Sequence, residues 1–174
     1  MFTPEPGGTA LGGELRRVLL KKHGAPPVLR AELFLFLADR AQHVEEVILP
    51  ALQAGRWVIS DRFSMSTLAY QAVAHDLDLE AVRAMDDFAR QGLTPDLTIV
   101  LDVPAEVGLG RLAGPQNDRI EGRGLAFHRC VREAFLALGK ADPHCVIIDA
   151  SASEEEVWAQ VQQAVSERLL GGLR

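Results

Sequence analysis

The 174 residues, 48 % hydrophobic and 24 % charged, have the size and balance of one ordinary globular domain able to bury a sizeable core. A formal net charge of −6 speaks against a nucleic-acid partner, which wants a basic face, and no apolar run reaches the ~18 residues of a membrane span. No charged-then-apolar leader opens the chain, and Cys130 and Cys145 are too few for a disulfide framework or a thiolate metal site, so a cytoplasmic protein with neither nucleic acid nor membrane as partner is expected.

In chain order the first signal is a turn, Glu5-Pro6-Gly7-Gly8-Thr9, which arrives before any strand or helix is predicted. A helix follows from Leu11 to Lys22. It carries Arg16 and Arg17, one of which lies toward the face of Leu15 and Leu19; a solvated arginine is the plainer alternative. Leu33, Phe36, Leu37, Arg40, Ala41, Val44, Val47 and Ile48 recur at i, i+3, i+4 and predict a second helix with Pro50 as its exit. Arg56–Ser60 (RWVIS) reads as the first strand and runs straight into Asp61-Arg62. Thr67, Tyr70 and Gln71 follow within one or two helical turns. Leu79, Val82, Met85, Phe88 and Ala89 predict another helix, and Leu97–Val103 (LTIVLDV) a second strand. Cys145–Ile148 (CVII) makes a third strand, and Val157, Val161, Val165 and Leu169 a last helix. Strands that are apolar at successive positions fit a parallel sheet buried on both faces, and their alternation with helices implies one α/β domain over 1–174.

Ligands of open parallel sheets sit beyond the carboxyl ends of the strands, which here carry Asp61-Arg62 and Asp102. An acid followed by an arginine can set a metal-facing carboxylate beside an anion-binding fork; Asp61 as a mere helix cap is the alternative. Phe36 and Arg40, four apart, share a helix face, where ring and guanidinium can clamp a planar anionic ligand or simply be a core ring and a surface charge. Residues 111–124 mix Gly, Pro and Asn with Arg111, Arg119 and Arg123 between two helices. They read as a lid-like loop able to neutralise a transferring phosphoryl group, or as a solvated one. The five histidines show no metal-ligand spacing.

Taken in order, EPGGT (5–9), GGELRRVLL (12–20), RAELFLFLADRAQHVEEVILPAL (30–52), GRWVISDRFSMSTLAYQ (55–71), PDLTIVLDVP (95–104), DRIE (118–121) and VIIDAS (146–151) resemble the thymidylate kinase family. The resemblance implies a P-loop-kinase-like three-layer fold, a parallel sheet flanked by helices, and transfer of the terminal phosphoryl of ATP to thymidine monophosphate with Mg2+. It implies that Glu5 and Asp61 lie near the metal and that Arg16 and Arg62 address the substrate phosphate. Phe36 would stack on thymine and Arg40 would hydrogen-bond it. Thr67 and Gln71 would reach the base edge, while Tyr70 would crowd the sugar. Arg111, Arg119 and Arg123 would be the lid arginines, and a homodimer is implied as well.

Two departures stand out. Pro4 occupies the position where the family has arginine before the acid, which removes a cation and fixes φ. The second is that no GxxxxGK(S/T) loop occurs in the 174 residues, nor the acid that follows the family's first strand. That strand lies centrally in the family's sheet, between those corresponding to Arg56–Ser60 and Leu97–Val103. The expectation is therefore a sheet lacking its central strand, a natural polypeptide longer than this one, and weak or absent turnover by these residues alone. A non-catalytic nucleotide-binding or assembly module is the alternative, and a kinase for another monophosphate a further one.

Overall fold

A computed structural model describes residues 1–21, 24–111 and 118–171. Its contacts cluster into two compact units, Met1–Leu93 with Gln116–Gly122, and Thr94–Pro115 with Arg123–Arg174.

In the first unit, strand β1 (Phe2–Pro4) pairs in parallel with β2 (Ile59–Asp61), Phe2 opposite Ile59 and Pro4 opposite Asp61. The EPGGT turn is thus preceded by a strand, which the pattern of apolar runs did not reveal. β2 begins three residues later than expected, because the chain is still leaving a helix: the Arg56 amide donates to the Ala51 carbonyl at 3.0 Å, and Gly55 takes φ +70°. The pair is not buried on both faces as predicted; Phe2 and Ile59, cross-strand neighbours, are 70 % and 64 % exposed.

Helix α1 (Ala10–Leu20) starts where the Thr9 hydroxyl accepts from the Gly12 amide and buries Leu19. Helix α2 (Leu29–His43) continues through a π-helical turn, Val44–Ile48, into α3 (Leu49–Gln53). Pro50 is therefore no exit. It sits in the first turn of α3, where a missing N–H costs nothing, and the wider turn before it accommodates the ring. Helix α4 (Ser64–Thr67) runs on through a second π turn, Leu68–Ala72, and a 3-10 turn, Val73–His75. Helix α5 (Leu79–Ala89) is capped by Asp78, whose side chain accepts from the Glu80 and Ala81 amides. Its inner face is Val82, Asp86 and Ala89, so Phe88 falls outside it and is 88 % exposed. Leu33, Leu37, Val44, Ile48, Leu68, Ala72 and Val82 form this unit's apolar core.

In the second unit β3 (Thr98–Asp102) pairs in parallel with β4 (Cys145–Asp149), and Asp102 lies opposite Asp149. Helices α6 (Ala105–Arg111), α7 (Leu125–Ala141) and α8 (Glu154–Val165), the last extended by the π turn Ser166–Leu170, complete it. Ser153 and Glu156 form a capping box at the start of α8. Arg132 of α7 grips Asp102 through Nε and Nη2 at 2.7 and 2.8 Å and holds its carboxyl below the usual range. The α/β character and the parallel pairing agree with the sequence, with the described strands arranged as two two-stranded sheets. Among the described residues, no helix is long and apolar enough to cross a membrane.

Candidate active site

The site in the first unit grows from the EPGGT turn. The Glu5 amide donates to the Asp61 carbonyl at 2.9 Å, which continues the ladder and sets the turn at the carboxyl ends of β1 and β2. Two glycines are there because of close approach. A Cβ at Gly8 would lie 2.6 Å from the His43 ring and 2.8 Å from the Thr3 hydroxyl; one at Gly12 would lie 2.4 Å from Asp39 Oδ1. The Gly7 amide donates to Asp39 Oδ1 at 3.0 Å, and Arg16 Nη1 donates to the Pro6 carbonyl at 2.8 Å. The turn is thus held from α2 on one side and from α1 on the other.

Beneath it lies a buried polar network. Arg40, 2 % exposed, donates through Nε and Nη2 to Glu5 Oε2 at 3.0 and 2.8 Å, and through Nη1 to the Thr67 hydroxyl at 2.9 Å and to Asp86 Oδ1. Its guanidinium also lies 5.1 Å from the Phe63 ring centroid. His43 Nδ1 and Glu5 Oε1 are 2.7 Å apart; a carboxylate only accepts, so Nδ1 carries the proton, and the Thr3 hydroxyl lies 2.7 Å from Nε2. Arg90 Nε meets the other Asp86 oxygen at 3.2 Å. Every charge in this buried set has an opposite partner, the condition under which ions persist away from water. Asp39, beside it, has its carboxyl raised above the ordinary value, chiefly by burial.

Arg40, Glu5 and Thr67 are therefore brought together, as partners of one another. The four Arg40 contacts leave one of a guanidinium's five N–H groups without an acceptor among the described residues. Arg62 adopts φ +71°, a conformation unusual for a side chain of this size, and its guanidinium lies 5.3 Å from the Tyr70 ring centroid. Phe36 is half-buried one turn before Arg40, and Asp61 is exposed at the end of β2. Gln71 is buried and donates to Glu32 Oε1 at 3.1 Å. Arg119 belongs to this unit and pairs with the other Glu32 oxygen at 2.6 Å. Arg111 and Arg123 lie in the second unit: Arg111 Nη2 donates to the Ala150 carbonyl at 3.1 Å, and Arg123 lies 4.6 Å from the Phe127 ring centroid. Of the predicted loop over 111–124, residues 112–117 lie outside the described residues.

Among the described residues no group of three or more His, Cys, Asp or Glu is placed to hold a metal. Mg2+ needs only one or two carboxylates when phosphates and waters supply the rest. The exposed Asp61 fits that role. Glu5 does not fit as a direct ligand, since Arg40 and His43 take both of its oxygens.

Glu32, Asp39, His43 and Asp86 were not singled out from the sequence. Three of them carried a signal all the same: Glu32, Phe36, Asp39, Arg40 and His43 follow i, i+4, i+7, i+8, i+11, which lines one helix face with polar groups.

A family model described as thymidylate kinase matches residues 1–161. The chain is 50 % identical to a thymidylate kinase of Synechococcus sp. (strain JA-2-3B'a(2-13)), with 97 % of this chain and 81 % of that one covered. It is 47 % identical to thymidylate kinases of Carboxydothermus hydrogenoformans, covering 93 % and 79 %, and of Desulfovibrio desulfuricans, covering 95 % and 80 %.

Proposed function

The chain belongs to the thymidylate kinase family, and from that premise we propose that its first unit is the acceptor side of a cytoplasmic phosphoryl transfer, binding thymidine monophosphate for conversion to the diphosphate with ATP as donor. The observation that carries the reading is the Glu5–Arg40–Thr67 network. It fixes the EPGGT turn beside Asp61 and Arg62 without flexible groups, and phosphoryl transfer rests mostly on such positioning and electrostatics.

In this reading Phe36 stacks on the base, while the remaining Arg40 N–H and the Gln71 amide meet its polar edge. Arg62, braced by Tyr70, and Arg16 neutralise the acceptor phosphate, and the Tyr70 ring crowds the sugar. The oxygen of that phosphate attacks the terminal phosphorus of ATP, whose bond to the leaving diphosphate oxygen breaks. Arg111 and Arg123 keep the lid role that the resemblance implies for them. Asp61 would hold Mg2+ through water, and the ion would supply neutralisation of phosphate charge.

The 174 residues carry no GxxxxGK(S/T) loop, so turnover by them alone is expected to fall far below ordinary kinase rates. The reading also includes a homodimer, for which Phe34 of α2 and Leu52 of α3 offer exposed apolar surface; sedimentation at micromolar concentration should give twice the chain mass, and a monomer would contradict it. Calorimetric titration with thymidine monophosphate tests the central reading. Phe36→Ala should weaken binding about tenfold, the scale of one base–aromatic stack. Equal affinity in the variant and the parent would remove Phe36 from the site.

A further inference from the structure

We propose that Glu32 is a positioning residue that couples the base-facing amide of Gln71 to residues 118–122 through Arg119, an inference that rests on the functional reading above. Glu32 is 1 % exposed, and its two oxygens are divided between two partners distant in sequence. Oε1 accepts from Gln71 Nε2 at 3.1 Å, and Oε2 accepts from Arg119 Nη2 at 2.6 Å. Arg119 also donates from Nε to the Leu19 carbonyl at 3.0 Å and from its backbone amide to the Leu20 carbonyl at 3.3 Å. Those carbonyls end α1, the negative pole of a helix, where a guanidinium is a favourable partner.

Residues 118–122 close on themselves. Asp118 Oδ1 accepts from the Ile120 and Glu121 amides, both at 2.8 Å, and the Gly122 amide donates to the Asp118 carbonyl at 3.0 Å. Arg119 ties this turn to α1 and α2. A carboxylate this deeply buried holds Arg119 firmly, because weakening an ion pair away from water is costly. The carboxamide of Gln71 gives one N–H to Glu32, so its carbonyl and second N–H are what a pyrimidine edge would meet. A ligand that fixes that amide fixes the Glu32 carboxylate, and with it Arg119. Occupancy of the base pocket thereby steadies the 118–122 turn with no direct contact between ligand and turn. Arg119 becomes a positioning residue, distinct from the phosphate-facing role that the family resemblance implies for it.

Hydrogen exchange at the Arg119 and Gly122 amides tests this. Glu32→Gln should speed exchange there about tenfold while α5 amides stay unchanged. Glu32 is buried and its variant could fail to fold, so Arg119→Gln probes the same link from the more exposed side and should give the same local rise. Saturating thymidine monophosphate should slow these amides in the parent chain, and the slowing should be lost in Gln71→Ala at equal saturation. Unchanged exchange in Arg119→Gln, or equal slowing in Gln71→Ala, overturns the proposal. Titration separates the two readings: no binding sinks the functional reading and the coupling with it, whereas binding without slowing sinks the coupling alone.

Discussion

Asp39 receives the Gly7 amide on Oδ1, and burial raises its carboxyl above the ordinary value of about 3.9. The native state therefore binds this proton at higher pH than the unfolded chain does. Its charged form lowers stability at neutral pH, and the loss is relieved as pH falls through the folded value. Asp39→Asn keeps an acceptor for Gly7 and removes the charge. Thermal melts should show the variant at least as stable as the parent at pH 7, with the difference closing as pH approaches 4; a constant gap would contradict the assignment. Gly12 and Gly13 supply a sharper contrast within one helix. Gly12→Ala drives a methyl to 2.4 Å from Asp39 Oδ1 and should cost about 1–3 kcal/mol, whereas Gly13→Ala meets nothing within 4 Å and should gain about 0.5–1 kcal/mol. Chemical denaturation reads both signs.

Elements were legible where one periodicity ran unbroken. Helix α5 matches its predicted span at both ends, since Asp78 caps it and Gln91 and Gly92 take positive φ just past it. The inner face of α5 was misread because the sequence reading put Phe88 where α5 buries Asp86 against Arg40. Helix α2 was legible as a helix, its exit and its polar stripe were not: Glu32, Asp39 and His43 look like solvated residues until partners from β1, the EPGGT turn, the π turn Leu68–Ala72 and Arg119 are in place. Strand β2 slipped because an apolar run does not reveal that its first residues still cap a helix. Arg40 joins the turn, α2, α4 and α5 at one point, so its removal should be felt across all four. Arg40→Met leaves Glu5 buried without its arginine and Asp86 with Arg90 alone, and should cost about 3–5 kcal/mol by chemical denaturation. Arg17→Ala, which breaks only an exposed pair with Glu14, should cost under about 1 kcal/mol. Similar losses for the two variants would deny the network its role.

For the whole molecule, the family was legible from seven short segments in order, while the division of labour between residues was not. Motifs name side chains, but partners decide what each can do. Glu5 matches a metal-neighbourhood acid in sequence, yet in the fold its oxygens belong to Arg40 and His43. The resulting picture is a first unit in which a buried ion network fixes the EPGGT turn beside Asp61 and Arg62, where the monophosphate is proposed to bind. Calorimetric titration of thymidine monophosphate into the 174-residue chain, paired with a coupled assay for ADP release, tests that most directly. Binding with a dissociation constant on the order of micromolar, about −8 kcal/mol, is expected, with turnover far below ordinary kinase rates. No detectable binding to the folded chain would contradict it.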